Sequence, residues 1–294
     1  MKERILSGCN IQFNQVLFFN CRIGYYRIKY DLLTWGTITK YLNNTAGHYE
    51  NISVTNRAKI IDDAFHLMNR QLNISVFWNL TQFLSNAQWV ECASNKNVVN
   101  VDVYYGPLCS NSLKWFLEQF LILYPRLKCR IHVTFVPYGN ATHHRENETG
   151  PWQFSCQHGP SECYANKIHA CGIHAIQYSE PAKDHQLLTI NLISCSMFMG
   201  AISPTGYPEY IPKVNLSKET RKLMKNCIAS ELADDLLAAN GDKTKALQSP
   251  LRLPTIVING VYSKENQDEA IRSFRKLICR HLTADKPDIC YNRN

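Results

Sequence analysis

The stretch Val101-Asp-Val-Tyr-Tyr-Gly-Pro-Leu-Cys-Ser-Asn-Ser-Leu-Lys-Trp-Phe-Leu-Glu-Gln-Phe120 changes from the apolar spacing of a strand to that of a helix. Its first residues alternate between two faces, as in a β-strand, and its last residues place aromatic side chains at helical spacing. A Gly-Pro pair separates the two patterns. The sequence therefore predicts a strand, a short turn and a helix, with Cys109 at the N-terminus of the helix.

Cys109 has two interpretations at this position. The free N–H groups and the dipole of a helix N-terminus favour a negative charge, and the thiolate is the nucleophilic form of cysteine. Alternatively, Cys109 is a buried or disulfide-bonded cysteine that follows a strand. Thiol–disulfide oxidoreductases carry a second cysteine three positions later, where this chain has Ser112. A serine hydroxyl can hydrogen-bond a thiolate but cannot close a disulfide, so complete reduction through Cys109 needs an outside thiol.

Length and charge limit the possible classes of protein. The chain has 294 residues, enough for one large domain or two ordinary ones, and 45% of them are hydrophobic, enough for a core. The net charge of +8 is spread along the chain without a long basic run. A basic stripe with interleaved aromatic residues is absent from the sequence, which argues against nucleic acid as a partner.

Cysteines and glycosylation motifs indicate the secretory pathway. Twelve cysteines are many for a cytosolic protein of this size. Seven Asn-x-Ser/Thr motifs accompany them and are candidate glycosylation sites. These motifs begin at Asn43, Asn51, Asn73, Asn79, Asn140, Asn147 and Asn215. We therefore expect a lysosomal or extracellular protein.

The first residues do not fit that compartment. Residues 1–10 are basic at the start but lack the apolar core of a signal peptide. No stretch reaches the ~18 apolar residues of a membrane span, so none is expected. Either the true N-terminus is missing or misjoined, or the chain stays in the cytosol with an unusual composition; we favour the first interpretation.

Residues 1–96 are predicted to form a small, mostly α-helical segment. Three blocks, Gly24–Asp31, Asn56–Phe65 and Leu80–Leu84, together resemble the start of the C-terminal helical domain of the aminopeptidase N family of zinc peptidases. The zinc motif His-Glu-x-x-His of that family does not occur in this chain, which argues against a peptidase. The segment is either a genuine fusion or the product of a gene model that joined two neighbouring genes, and we favour the second.

A second strand and a cysteine-rich block follow the Cys109 helix. Arg130–Pro137 alternates like a strand, which gives strand–helix–strand spacing and predicts a parallel βαβ unit. His143–Trp152 is polar and is predicted to be an exposed loop. Cys156–His174 then holds three cysteines and three histidines. Zinc is one interpretation of this block, but it contains no Cys-x-x-Cys pair, so structural disulfides and no metal are favoured.

The same block carries a second resemblance. It matches the signature Cys-Gln-His-Gly-x-x-Glu-Cys-x-x-Asn-x-x-x-x-Cys of the gamma-interferon-inducible lysosomal thiol reductases (GILT), at all eight fixed positions. The resemblance covers about residues 100–291. The matching positions are Cys156, Gln157, His158, Gly159, Glu162, Cys163, Asn166 and Cys171, with Tyr104, Tyr105, Cys109 and Val136–Ala141 also placed as in that family.

The GILT resemblance implies a fold, a site and a reaction. The fold is α/β and thioredoxin-like, with an inserted disulfide-bonded helical region, over residues 97–294. Cys109 and Ser112 are the expected catalytic positions, while Pro254, which resembles the cis-proline of that fold, and Tyr105 are expected to contact substrate. The reaction is reduction of protein disulfides in an acidic lumen without a cofactor. The expected structural disulfides use Cys156, Cys163, Cys171, Cys195, Cys227, Cys279 and Cys290.

Periodicity predicts the remaining elements of residues 97–294. Amphipathic helices are expected over Gln186–Met199, Lys218–Ala239 and Asn266–Leu282, and a strand over Arg252–Gly260. His158 is a possible base, but we favour a structural role for it.

Two hypotheses follow for function. The first is a thiol–disulfide oxidoreductase that uses Cys109 alone and a small-thiol reductant on disulfide-containing proteins. The second is a binding protein that has lost the resolving cysteine. Retention of Cys109 favours the first, and Ser112 favours the second.

Overall fold

The computed structural model describes residues 97–199, 214, 216–247 and 252–291. They belong to one compact unit, Cys92–Asn294. The predictions for residues 1–96 lie outside the described residues. The same holds for the candidate glycosylation sites Asn43, Asn51, Asn73, Asn79 and Asn215.

A three-stranded sheet forms the centre of the described unit. Strands β1 (Val99–Tyr105) and β2 (Ile131–Pro137) pair in parallel along their whole length. Strand β5 (Thr255–Ile258) pairs antiparallel with the other side of β1, so the order is β2–β1–β5. The predicted βαβ unit is confirmed, and the mixed α/β class with it. The residue after β1, Gly106, begins the turn that leads to Cys109.

The connection from β1 to β2 is helical. Helix α1 (Ser110–Trp115) continues directly into a π-helical segment, Phe116–Leu121, and a short helix α2 (Tyr124–Leu127) follows. The aromatic residues of this connection pack under the sheet. Phe120 is fully buried and lies 5.7 Å from Phe135 of β2, measured between ring centroids.

A small hairpin follows β2 where a loop was predicted. Strand β3 (Thr142–His144) pairs antiparallel with β4 (Gln153–Ser155). His143 explains the difference, because its ring packs on Trp152 and its Nδ1 lies 2.7 Å from the Tyr138 hydroxyl. These contacts order both ends of a segment whose polar sequence gave no strand signal. Its middle is exposed, as expected.

The helices after β4 match the periodicity with one exception. Residues 218–239 were predicted as one helix, but two helices are present, divided at Ala229–Glu231. The Ser230 hydroxyl donates to the Cys227 carbonyl, and this ends the first helix although the apolar pattern continues. The helices are α3 (Pro160–Ser179), α4 (His185–Met199), α5 (Lys218–Ile228), α6 (Leu232–Lys245) and α7 (Lys264–His281).

One apolar core joins the sheet to the helices around it. It takes Val99, Val101 and Val103 from β1. Helix α7 contributes more core residues from one face than the other helices do. Its backbone is non-helical at Ser273, and the Phe274 N–H donates to Gln119 Oε1 instead of to the helix. The contributing residues of α7 are Ala270, Phe274, Leu277 and Ile278. None of the described helices is both long enough and apolar enough to cross a bilayer.

Three disulfides join cysteines of the described residues. They are Cys156–Cys163, Cys171–Cys227 and Cys279–Cys290. Six of the seven cysteines expected in bridges are therefore found in them.

The expectation for Cys195 is wrong. This residue is a buried thiol on α4. It takes part in none of the three bridges found among the described residues. Cys129, which the sequence did not single out, is disulfide-bonded.

Candidate active site

Cys109 stands where the sequence predicts it. It is the N-cap residue of α1, with extended backbone angles, φ −77° and ψ 118°. Its N–H donates to the Gly106 carbonyl at 3.1 Å, which closes the turn after β1. Its side chain carries a free thiol and is partly exposed. Because β1 is the middle strand, the thiol lies at the end of the central strand of the sheet.

Ser112 lies one turn into the same helix. Residues three apart share a helix face, so Ser112 lies beneath Cys109. Its side chain is only 2% exposed, and its hydroxyl has no hydrogen-bond partner among the described residues. A buried hydroxyl without a partner is costly. A thiolate on Cys109 would be a suitable acceptor for it.

Two glycines beside Cys109 have no side chain, and other groups therefore approach their backbone closely. A Cβ placed on Gly106 would lie 3.3 Å from Cys109 Cβ and 2.9 Å from Glu162 Oε1. Gly139 follows β2 with φ +68°, and a Cβ there would lie 3.5 Å from the same oxygen. Leu253 Cδ1 lines both positions, at 3.5 Å and 3.7 Å. The Glu162 carboxylate thus reaches the turn that carries the nucleophile.

Glu162 is held by the loop that precedes α3. Its side chain is 1% exposed, and Oε2 accepts the His158 backbone N–H at 2.9 Å. His158 Nδ1 lies 3.1 Å from Oε1, while the His158 side chain is 42% exposed. The Cys156–Cys163 disulfide closes this loop. The loop therefore connects a buried carboxylate near the thiol with an imidazole in solvent.

Glu162 begins a row of buried polar residues on α3. Asn166 and His169 follow it at helical spacing, and both are fully buried. The Asn166 amide donates to the Tyr138 carbonyl at 3.1 Å, and His169 Nδ1 lies 2.7 Å from the Tyr105 hydroxyl. Burial lowers the pKa of His169 to about 3, so this imidazole is neutral at any ordinary pH. We call Glu162, Asn166 and His169 the polar row.

The residues expected to contact substrate have different surroundings. Tyr105 is 2% exposed, and its hydroxyl meets His169, so its side chain is buried rather than offered to a substrate. Pro254 is also buried, its peptide bond with Leu253 is cis, and its carbonyl accepts from Gln267 at 2.8 Å. Leu253 is partly exposed and lines the space beside Gly106. The sequence analysis missed Leu253.

The other predicted positions lie outside this site. Asn140 and Asn147 are exposed, as glycosylation sites must be. No group of three metal-ligating side chains occurs among the residues that the structure describes. The cysteines of the suspected zinc block are in disulfides, which oppose zinc binding.

A partly exposed thiol at the start of a helix is typical of reactive cysteines, including those of disulfide oxidoreductases. The family model described as "Gamma interferon inducible lysosomal thiol reductase (GILT)" matches residues 100–205. GILT-like protein 1 of Drosophila melanogaster is 32% identical over 67% of this chain and 80% of its own length. A "Gamma-interferon-inducible lysosomal thiol reductase-like protein" of Anopheles gambiae is 31% identical over 63% and 77%. The chain belongs to the GILT family.

Parts of the chain are also similar to an aminopeptidase and to a thioredoxin-like oxidoreductase. Aminopeptidase N of Plutella xylostella is 32% identical over 35% of this chain and 11% of its own length, which agrees with a fragment of that family. A thioredoxin-like oxidoreductase from Silicibacter pomeroyi DSS-3 aligns with a TM-score of 0.37 and 11% identity, over 62% of this chain and 88% of that chain. The second similarity is too weak to establish a shared topology.

Proposed function

We propose that this protein is a thiol–disulfide oxidoreductase that attacks protein disulfides with Cys109 alone and uses a small thiol as the reductant. The observation that carries the proposal is the partly exposed free thiol of Cys109 at the N-cap of α1. A site of this kind with a serine at the fourth position can form a mixed disulfide but cannot resolve it internally.

The reaction balances with two outside partners. Cys109 loses its proton and its sulfur attacks one sulfur of a substrate disulfide, which forms a bond from Cys109 to the substrate. The bond between the two substrate sulfurs breaks, and the departing sulfur takes up the proton that Cys109 lost and leaves as a thiol. A small thiol then attacks the mixed disulfide. The substrate leaves as its second thiol, Cys109 carries the small thiol in a disulfide, and a second small thiol regenerates Cys109. Two small thiols are oxidised and one substrate disulfide is reduced.

Ser112 supports this route in a second way. Its hydroxyl is buried without a hydrogen-bond partner among the described residues, and a hydroxyl in such a place can donate to a neighbouring sulfur. Ser112 thus places a hydrogen-bond donor at the position where thiol–disulfide oxidoreductases with two cysteines have the second sulfur. The nucleophile keeps its assistance, and only the resolving step moves to an outside thiol.

The fold, substrate contact and compartment belong to the same proposal. We propose a thioredoxin-like arrangement in which α3–α6 form the inserted helical region and the Leu253–Pro254 segment lies beside the substrate. The disulfides and the exposed Asn140 and Asn147 support a secretory route, with a lysosomal or extracellular destination. For residues 1–96 we propose the aminopeptidase-like fragment, and sequencing transcripts across codons 90–100 tests whether they are contiguous with the rest.

The test is disulfide reduction at about pH 5 by the full chain with a small-thiol donor. We expect turnover by the parent and only background rate from Cys109→Ala, because the nucleophile is gone. Cys195→Ala is the matched control, since it removes the other described thiol, which is buried. Loss of activity in the control but not in Cys109→Ala would overturn the assignment.

Ser112→Cys separates the two candidate functions. A thiol at position 112 resolves the mixed disulfide within the molecule, so turnover should rise about tenfold or more. If the parent is silent and only Ser112→Cys turns over, the natural protein is a binding protein that holds partners at a competent site. The second candidate function would then replace the first.

A further inference from the structure

We propose that Glu162 is the proton carrier of the site: it accepts the Cys109 proton during attack and returns it to the departing sulfur of the substrate, with His158 linking it to solvent. This inference rests on the proposed function, since it concerns the proton that thiol–disulfide exchange must move.

The position of one oxygen is the first argument. Glu162 Oε1 and Cys109 Cβ both lie within 3.3 Å of a single point, the place that a Cβ on Gly106 would occupy. No side chain fills that point because residue 106 is a glycine. The Gly139 Cβ position lies 3.5 Å from the same oxygen, compared with 2.9 Å for the Gly106 position. Two strand ends therefore lack side chains at the place where the carboxylate approaches the nucleophile.

A capping role does not account for this geometry. Glu162 is the third residue of α3, where a carboxylate commonly accepts a backbone N–H near the helix start. Oε2 fulfils that role through the His158 N–H at 2.9 Å. Oε1 lies near Gly106 and is also 3.1 Å from His158 Nδ1. It therefore joins the imidazole to the turn that carries Cys109, which helix capping does not require.

Glu162 is buried among groups from three parts of the chain. A carboxylate that is 1% exposed is stable only with a charged or hydrogen-bonded partner. The groups that face it are His158 from its own loop, Cys109 from the start of α1, and the apolar Leu253 from the segment before β5. A proton on Glu162 can therefore pass to a sulfur on one side or to the half-exposed imidazole on the other.

The chemistry of disulfide exchange needs this proton. As Cys109 sulfur bonds to the substrate, its proton moves to Glu162 Oε1. The bond between the two substrate sulfurs breaks, and the departing sulfur takes the same proton as it leaves. Carboxylates and carboxylic acids that act in this way contribute typically 10²–10⁴-fold to a rate. The gain is largest when the departing thiol is a weak acid, because it leaves poorly as an anion.

Leaving-group dependence tests the proposal in the full-length protein. Single-turnover rates of the reduced chain are measured with three reagents: cystine, whose departing thiol is a weak acid; dithiodipyridine, whose departing thione needs no proton; and iodoacetamide, which releases iodide. We expect Glu162→Gln to lower the cystine rate about 100-fold. The other two rates should fall by a smaller factor, about tenfold, because these reactions lose only the acceptor of the Cys109 proton and their departing sulfur or iodide needs no proton.

Glu180→Gln is the matched control. Glu180 caps the other end of the same helix, roughly 27 Å away at 1.5 Å per residue, and accepts the Ser217 N–H. Its substitution should change no rate by more than about threefold. Glu162→Asp is measured in case the Glu162→Gln variant does not fold. It keeps the acid but shortens the side chain, so the rate with cystine should fall more than the other two rates, but by less than in Glu162→Gln.

Each outcome decides between explanations. Equal losses on all three reagents, or none, would overturn the proposal, because the departing sulfur would then receive no proton from Glu162. Reaction with iodoacetamide but with neither disulfide in the parent would instead overturn the proposed function. A selective loss on cystine in Glu162→Gln or Glu162→Asp supports both.

Discussion

Helices α3 and α7 both pack against the sheet, but with opposite chemistry. Helix α7 contacts β5 through a face of apolar side chains that belong to the main core. Helix α3 contacts β2 and presents the polar row, Glu162, Asn166 and His169, toward the ends of β1 and β2. A protein that needed only stability would place apolar residues at both contacts.

The polar residues of α3 lower the stability of the fold relative to an apolar contact. Buried polar groups destabilise a fold unless they are hydrogen-bonded, and His169 Nε2 and Asn166 Oδ1 have no partner among the described residues. Helix α3 is also anchored by disulfides at both Cys163 and Cys171, whereas α7 carries one bridge near its end, at Cys279. Covalent bonds thus support the polar helix, and packing supports the apolar one.

The largest effect is expected on α7. Phe274 is fully buried and meets Trp115 edge to face at 5.3 Å between centroids. Phe274→Ala should lower the free energy of unfolding by about 3–5 kcal/mol, because it removes apolar contacts and leaves a cavity. Denaturant unfolding with the disulfides intact measures this. A loss below about 1 kcal/mol would mean that α7 is not the stabilising helix of the pair.

The second effect concerns the bridge that joins α3 to α5. Replacing Cys171 and Cys227 together by serine opens a loop of 56 residues and should cost about 4 kcal/mol in chain entropy. The matched control replaces Cys279 and Cys290, whose loop spans 11 residues, and should cost about 1 kcal/mol less. Equal losses would show that packing, not loop length, sets the value of these bridges.

The third effect is a pH dependence from the polar row. Burial lowers the pKa of His169 from 6.5 to about 3, so the folded protein keeps this side chain neutral while the unfolded chain protonates it below pH 6.5. Its contribution to stability is therefore complete above pH 6.5 and is lost as the pH falls toward 3. Between pH 7 and pH 5 the loss is about 2 kcal/mol.

His169→Gln tests that assignment. The variant cannot gain a proton on unfolding, so its free energy of unfolding should fall by about 2 kcal/mol less than that of the parent between pH 7 and pH 5. Parallel stability curves for the two proteins would contradict a neutral buried imidazole. His185→Gln, at the exterior end of α4, is the control histidine.

Local pattern predicted the part of the site that lies on one segment. The strand, the turn and the helix start around Cys109 occupy consecutive residues, and their periodicity is visible in the sequence. The approach of Glu162 to Gly106 was not predicted, because it depends on how α3 packs after a loop and a hairpin. Likewise, a buried Tyr105 cannot be told from an exposed one until His169 is placed beside it.

The disulfides differ in solvent exposure, and this difference determines which of them a reducing thiol in solution can reach. The small thiol of the proposed reaction can also reduce the disulfides of the protein itself. Cys171 and Cys227 are 0% and 3% exposed, which keeps that agent away from the bond that ties α3 to α5. The Cys156–Cys163 and Cys279–Cys290 bonds are partly exposed, so the agent reaches them more easily. We therefore expect prolonged excess of reductant to open the loop of His158 and Glu162 and the bridge at the end of α7 before it opens the bridge between α3 and α5.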